Sequence, residues 1–284
     1  LLLGFVVSVL LLERLSRGRA RFHNTGARNR PARYQLRGVA SLAAALICCV
    51  PLVLGFLLPT GLLLRMAFTE GDAQFGARFV TLTLNSFTLA GVTALAGVML
   101  ALVMGYALRL RPGPLTRAAN RLAGLGYAIP GAVIAIGILV PVARLDNAVD
   151  AWMRVHFDIS TGLLLTGSIT ALVYAYLVRF LTVALQTVEA GLTKITPSMD
   201  EAARSLGVGP VGTLIKVHGP LMRGSLLTAG LLVFIDVMKE LPATFVMRPF
   251  NFDTLAVQAY NLAADERLAE ASTSALAIVA VSLL

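Results

Sequence analysis

The sequence predicts an all-α protein, a polytopic bundle of transmembrane helices. Three observations carry this. The 284 residues are 57% hydrophobic and only 14% charged, and their mean hydropathy is +0.80. Soluble domains hold roughly 45–50% apolar and about 25% charged residues. The apolar residues fall into runs long enough to cross a bilayer, and the basic residues fill the gaps between those runs. Backbone in hydrocarbon must satisfy its own hydrogen bonds, so the runs are helices. Disordered, collagen-like and disulfide-scaffold classes are excluded by the same composition.

Five full spans are expected, near 39–64, 82–108, 123–143, 162–184 and 224–246, with an incomplete sixth from about 270. Pro51, Pro59, Gly97, Pro130, Gly131 and Gly137 lie inside them. Such residues are tolerated in membrane helices and permit close packing. Leu1 to Leu12 is apolar but short of the roughly 20 residues that a crossing needs, and it lacks the basic flank and cleavage site of a signal peptide. It reads as the end of a helix from a preceding unit. The sixth run stops at Leu284 in the same way, so both ends read as truncated.

The net charge is +9, from 24 basic and 15 acidic residues. A pI near 10.2 would also suit a nucleic-acid binder. The placement argues for membrane topology instead, because no basic face is interleaved with aromatics. Residues 13–37 contain Arg14, Arg17, Arg19, Arg21, Arg28, Arg30, Arg33 and Arg37 against Glu13 alone. They read as a basic cytoplasmic linker, solvated and attracted to anionic lipid. Arg109, Arg111, Arg117 and Arg121 mark a second cytoplasmic gap; Lys194, Arg204, Lys216 and Arg223 mark a third. The alternate gaps are balanced or acidic: Arg65 and Arg78 against Glu70 and Asp72; Arg144 and Arg154 against Asp146, Asp150 and Asp158; Arg248 and Arg267 against Asp253, Asp265 and Glu266. These face outward.

Chemistry-bearing clusters are sparse. Cys48 and Cys49 are adjacent in an apolar run, where neighbours on a helix point about 100° apart and do not form a structural disulfide. His23, His156 and His218 are scattered, with no CxxC and no HExxH, so a metal centre has no support. Asp236, Lys239 and Glu240 do stand out inside the fifth span. Ionisable groups at that depth face a bundle interior or a water path. Asp236 and Glu240 are i, i+4 and share a face, Lys239 can pair with Asp236, and Pro242 kinks or ends the helix. The cluster reads either as a gate on a pathway or as a structural ion pair. Carboxylates would suit a hard cation, but a transporter must release its cargo, which argues against tight ligation here.

The long gap at about 186–222 is the most informative. In Ile195-Thr-Pro-Ser-Met-Asp-Glu-Ala-Ala-Arg-Ser-Leu-Gly207, Ser198 and Glu201 form an S-x-x-E capping box. Met199, Ala202, Ala203 and Leu206 make one apolar stripe, and Gly207 is placed to end the helix in a left-handed conformation. A second short helix to Val217 follows, broken by Gly219-Pro220 before the next span. The element reads as an interfacial helix on lipid or as a knob for a soluble partner. Its small apolar residues and mixed charges favour the knob.

These residues resemble the EAA loop of ABC importer permeases: Glu201-Ala202-Ala203, three residues, Gly207, nine residues, then Val217, His218, Gly219 and Pro220. The usual ending is Ile-x-Leu-Pro, so Val217 and Gly219 depart from it. Tyr127-Ala-Ile-Pro-Gly-Ala-Val-Ile-Ala-Ile-Gly, Val188-Glu-Ala-Gly-Leu, Asp236-Val-Met-Lys-Glu-Leu-Pro-Ala-Thr and Arg248-Pro-Phe-Asn-Phe-Asp-Thr-Leu-Ala resemble the ferric-iron importer permeases in particular.

The resemblance implies a six-span, MetI-like permease unit at 38–284, the second half of a fused protein whose preceding half lies upstream. It implies a multi-pass protein of the bacterial inner membrane that imports ferric iron, with thiamine, polyamine or phosphonate as alternative cargo. Its implied partners are a cytoplasmic ATPase dimer, an extracytoplasmic substrate-binding protein and membrane lipid, with no nucleic acid. Glu201, Ala202, Ala203, Gly207 and Pro220 would couple to the ATPase; Asp236, Lys239, Glu240 and Pro242 would line the pathway or gate. No G-x-x-x-x-G-K-[ST] occurs, so ATP would be bound and hydrolysed by the partner, and no cofactor is expected in this chain. A secondary transporter or channel would call for midplane ion sites and broken helices rather than a docking loop. An intramembrane enzyme would need a nucleophile–base pair that is not visible.

The charge pattern sets a topology that can be tested. A cysteine placed at Ser198 in intact cells is expected to react with a membrane-impermeant maleimide only after permeabilisation; labelling without it would reverse the assignment.

Overall fold

The computed structural model describes residues 35–69 and 75–283. The expected helix end at 1–12 and most of the linker at 13–37 lie outside the described residues. Among these residues every regular element is helical. Five stretches are long and apolar enough to cross a membrane: Val39–Thr69, Ala77–Leu110, Gly131–Phe157, Ile169–Leu192 and Pro210–Met238. A shorter apolar helix covers Leu268–Ser282.

The chain divides into two units, up to Val53 and from Leu54 onward. The first contains α1 (Val39–Leu52), with Pro51 in its last turn and none of its residues buried. Cys48 and Cys49 are free thiols exposed on it.

The second unit begins with α2 (Leu58–Thr69), α3 (Ala77–Leu110) and α4 (Pro114–Ala123). Then come α5 (Gly131–Phe157), α6 (Ile169–Leu192) and α7 (Pro197–Ser205). A single turn α8 (Pro210–Thr213) and a π-helical turn (Leu214–His218) lead into α9 (Gly219–Met238). The unit ends with α10 (Pro242–Met247), α11 (Leu255–Ala264) and α12 (Leu268–Ser282).

Helices α3, α6 and α9 pack on one another and form the core, and α12 packs on α2 and α11. The seam is made of small residues: Ala90, Ala94 and Ala101 on α3, Ala175 and Ala184 on α6, and Ala229 on α9. In lipid the hydrophobic effect does not drive helices together, so close backbone approach supplies the packing energy. A Cβ on Gly191 would stand 2.8 Å from the Ser225 Cβ, and one on Gly105 would stand 3.2 Å from Leu192 Cδ1. Gly137, by contrast, faces open space.

Several expected boundaries shift. The third span runs from Gly131 to Phe157 rather than 123–143, so Arg144, Asp146, Asp150 and Arg154 lie on a helix and not in a loop. The fourth is Ile169–Leu192 rather than 162–184. It starts where the Ser168 hydroxyl accepts the Thr170 N–H at 3.2 Å. The fifth ends at Met238, eight residues early, because Glu240 and Pro242 turn the chain there. Gly219-Pro220 does not break the chain, since Gly219 is helical (φ −53°, ψ −54°). Pro220 sits in the first turn of α9, where its missing N–H costs little.

The polar end of α5 has a structural purpose that hydropathy concealed. Asp146 is 2% exposed. Its carboxylate accepts the N–H groups of Leu165 at 3.0 Å and Thr166 at 2.7 Å, and the Thr166 hydroxyl at 2.5 Å. One turn on, Asp150 accepts the Gly162 N–H at 2.9 Å and binds Arg154 at 2.7 Å. The two carboxylates pin the segment between α5 and α6 along the end of α5. Asp146→Ala uncaps two backbone N–H groups and is expected to cost about 1–3 kcal/mol for each one left unsatisfied. The thermal midpoint in detergent should fall clearly, and further than for Arg154→Ala on the exposed side.

Candidate functional site

The element singled out in the sequence is built as a short amphipathic helix. Thr196 is the N-cap residue of α7 and Pro197 opens its first turn. The expected capping box is not formed, because Ser198 lies inside the helix and its hydroxyl meets that of Thr196 at 2.9 Å. The helix stops where Gly207 adopts a left-handed φ of 76°, as its position suggested. A β-branched residue resists that conformation.

The orientation of α7 separates two neighbouring acids. Glu201 is exposed, together with Met199, Ala202 and Leu206, while Ala203 is 5% exposed and packs inward. The apolar stripe is therefore mostly an outer surface. Asp200 turns inward and meets Arg109, with Nε donating to Oδ2 at 2.8 Å. His218 Nε2 lies 2.6 Å from its other oxygen. Burial alone would raise the Asp200 carboxyl, but the hydrogen bonds and charges of Arg109 and His218 outweigh it and hold it below the ordinary carboxylate value.

Arg109 and His218 were read from the sequence only as a topology marker and a scattered histidine. No local signal could have joined them to the loop: Arg109 lies 91 residues before Asp200, in the last turn of α3, and His218 lies 18 residues beyond it. Pro220, expected to act with the motif, lies two residues past this histidine in the first turn of α9.

The charges of the fifth span are arranged differently from the expectation. Asp236 and Lys239 do pair, at 2.8 Å, but the Lys239 side chain is 58% exposed and does not enter the bundle. Because α9 ends at Met238, Glu240 does not share a helical face with Asp236. It is 6% exposed and pairs instead with Arg179 of α6 at 3.3 Å. Its Oε1 also accepts the Ala243 N–H at 3.1 Å, at the start of α10, which Pro242 opens.

A Cβ on Gly131 would run into both Arg179 Nη1 and Glu240 Oε1, and one on Gly126 would run into the Val178 carbonyl. The two glycines let the Tyr127–Gly131 segment lie against this pair. Tyr176 and Thr244 share a buried hydroxyl contact beside it, and the Thr244 hydroxyl donates to the Glu240 carbonyl at 2.5 Å. Arg179 was missed, although it is a charge in mid-span, the same signal that drew attention to Asp236. Among the described residues no group of three or more His, Cys, Asp and Glu is placed to hold a metal ion.

Residues 95–284 match the family described as binding-protein-dependent transport system inner membrane component. An Fe(3+)-transport system permease protein, FbpB 2 of Haemophilus influenzae, is 28% identical over 206 residues, covering 72% of this chain and 38% of that protein. A putative ferric transport system permease, FbpB 1 of the same organism, is 25% identical, covering 85% of this chain and 39% of that protein. A putative 2-aminoethylphosphonate transport system permease, PhnV of Salmonella typhimurium, is 23% identical and is covered over 91% of its length. The chain thus spans less than two fifths of the two ferric relatives. Among solved structures, a bacterial ABC transporter that imports the acidic polysaccharide alginate superposes with a TM-score of 0.64 at 16% identity, covering 86% of this chain and 91% of the other. The same fold is seen in the alginate transporter in complex with its alginate pentasaccharide-bound periplasmic protein, with a TM-score of 0.60 at 14% identity.

The Arg179–Glu240 geometry has an energetic signature. Arg179→Met leaves Glu240 buried without its partner, and breaking such a pair typically costs about 3–5 kcal/mol. The double variant Arg179→Met, Glu240→Gln removes both charges and is expected to be milder than either single change. Thermal unfolding in detergent of the two single variants and the double one measures the coupling; additive losses would show that the two charges do not interact.

Proposed function

Because this chain belongs to the family of binding-protein-dependent transport system inner membrane components, we propose that it is the membrane-spanning part of an ATP-driven importer, with ferric iron as cargo. It is a multi-pass inner-membrane protein built on the fold shared with the alginate importer. The observation that supports the coupling role is α7. It is a short helix opened by Pro197 and ended at Gly207 that holds Asp200 inward and presents Glu201, Met199, Ala202 and Leu206 outward. That is a surface for a soluble cytoplasmic ATPase dimer, which binds ATP. The permease itself carries no phosphate loop and needs no cofactor.

The polar contacts of α7 support alternating access. Asp200 of α7 is held by Arg109 at the end of α3 and by His218 at the entry to α9, so displacing the helix pulls on those ends. Closure of the ATPase dimer reorients the spans and opens the pathway to an extracytoplasmic substrate-binding protein. Asp236, Lys239, Glu240 and Pro242, now with Arg179, lie where α9 gives way to α10, and they act there as gate or lock. The chain matches less than two fifths of the length of either ferric relative. This supports 38–284 as one permease half, joined to a preceding half through the basic linker at 13–37. Ferric iron is favoured because the ferric permeases share the higher identity. The phosphonate permease is the specific second reading, because it is matched over 91% of its length. Binding of ferric ion against 2-aminoethylphosphonate to the cognate extracytoplasmic protein decides between them.

Glu201→Ala and Gly207→Val are expected to insert normally and to lose the ATP hydrolysis stimulated by loaded binding protein. The first removes a charge from the docking surface; the second forces the helix end out of its left-handed turn. Full stimulation in both purified variants would overturn the docking reading.

A further inference from the structure

A docking helix can pass motion to the spans only if it is fixed to them. Residues 193–218 contain three helical turns or short helices separated by Gly207, Val208 and Gly209, a composition that could equally yield and absorb the push. What fixes the segment lies under α7. Arg109 divides its guanidinium three ways: Nε to Asp200 Oδ2 at 2.8 Å, Nη1 to the Leu192 carbonyl at 2.7 Å, and Nη2 to the Ile195 carbonyl at 2.9 Å. The last two acceptors are carbonyls at and just past the C-terminal end of α6, where backbone oxygens released from the helix ladder and the helix dipole favour a cation; the Leu192 oxygen also accepts the Ile195 N–H. One side chain thus joins the end of α3, the end of α6 and the docking helix.

The other oxygen of Asp200 reaches the fourth element. His218 closes the π-helical turn that precedes α9 and is wholly buried. A π-helical turn carries one residue more than an α turn, which changes the direction of the side chains that follow. The imidazole has its Nε2 on Asp200 at 2.6 Å and its edge on Tyr106, with ring centres 5.2 Å apart. Its Nδ1 is buried with no partner among the described residues, which leaves Asp200 as the polar anchor they give it. Tyr106, one turn before Arg109, donates its hydroxyl to the Pro210 carbonyl at 2.8 Å, tying down the chain beyond Gly207.

We propose that Arg109, Asp200 and His218 are positioning residues, a clamp that makes α7 one rigid body with the ends of α3, α6 and α9, so that motion at the docking surface is delivered to the spans. This rests on the ATPase-docking reading above and assigns the inward face of the same loop a separate task. Docking belongs to Glu201 and its exposed neighbours; transmission belongs to the clamp. Asp200 and Glu201 are adjacent in sequence and differ in which side of α7 they occupy.

The experiment uses the complete importer in proteoliposomes, with its ATPase and loaded binding protein, and compares Arg109→Lys, Asp200→Asn, His218→Gln and Glu201→Ala. Lysine keeps the charge but cannot serve three acceptors from one planar fork. In the three clamp variants the ATPase is expected to bind with wild-type affinity. Substrate moved per ATP hydrolysed should fall by about tenfold or more, the equilibrium equivalent of one lost charge-assisted hydrogen bond. Glu201→Ala should instead weaken ATPase binding.

A rescue arm separates transmission from a purely structural loss. Cysteines at positions 109 and 200, bridged by a short thiol-specific cross-linker, should recover coupling, and reduction of the bridge should remove it. Wild-type transport per ATP in all three clamp variants would overturn the proposal, as would loss of ATPase affinity equal to that of Glu201→Ala, or a bridged form as uncoupled as the reduced one. If Glu201→Ala leaves ATPase binding and stimulation intact, it is the docking reading that fails.

Discussion

The Asp200 carboxylate under α7 is the interaction on which this end of the bundle depends. Its two oxygens are held by groups from two different helices, Arg109 on α3 and His218 at the entry to α9, and Arg109 reaches α6 as well. A neutral side chain could fill the space but could not compensate a guanidinium that is only 19% exposed. Charge-assisted hydrogen bonds are stronger and shorter than neutral ones, and a planar fork adds direction to strength. Three apolar helices whose seam is alanine and glycine have little chemistry with which to fix their ends in register. Arg109, Asp200 and His218 join those ends through polar contacts in the segment between α6 and α9.

The same logic operates deeper in the bundle. A charge in hydrocarbon is costly, so it persists where a partner and a tight enclosure exist. Glu240 has both: Arg179 faces it, and Gly131 closes the space without a side chain of its own. The end of α5 shows a third version, with Asp146 and Asp150 turned onto backbone N–H groups of the returning segment. In each case an acid holds together segments that apolar packing alone would leave free to slide.

How much of this could be read beforehand depends on the range of the interaction. Span existence, the helix at 197–205 and the left-handed Gly207 all follow from local composition and spacing, and they stand. The capping box failed because Pro197 starts the helix two residues early and makes Thr196 the N-cap residue. The third span ran long because Asp146 and Asp150, which read as loop residues, are satisfied by the returning segment, 20 residues on at Thr166 and 12 residues on at Gly162. Glu240 was placed on the wrong face because the end of α9 is set by tertiary contact with Arg179, which helical spacing from Asp236 cannot reveal. Arg109, Asp200 and His218 are separated by up to 109 positions, and no local pattern joins them. Hydropathy sees each charge singly, as a mark of topology or an intruder, whereas their roles are pairwise.

That distinction explains why the motif is an acid pair rather than a single acid. On a helix, neighbours point about 100° apart, so Asp200 and Glu201 cannot both face the partner or both face the spans. One short helix therefore carries an inward acid that binds it to its own bundle and an outward acid left on the exposed side. A longer helix could divide these tasks between distant turns. α7, with nine residues from Pro197 to Ser205, has barely two turns and divides them between adjacent positions. Two alanines follow because Ala203 must fit against the bundle at 5% exposure, while Ala202 leaves the outer face low enough for a close approach. Gly207 then reverses the chain before a further turn would carry it off the surface. The order Asp-Glu-Ala-Ala, with glycine four residues on, suits a two-turn helix with one buried and one exposed side.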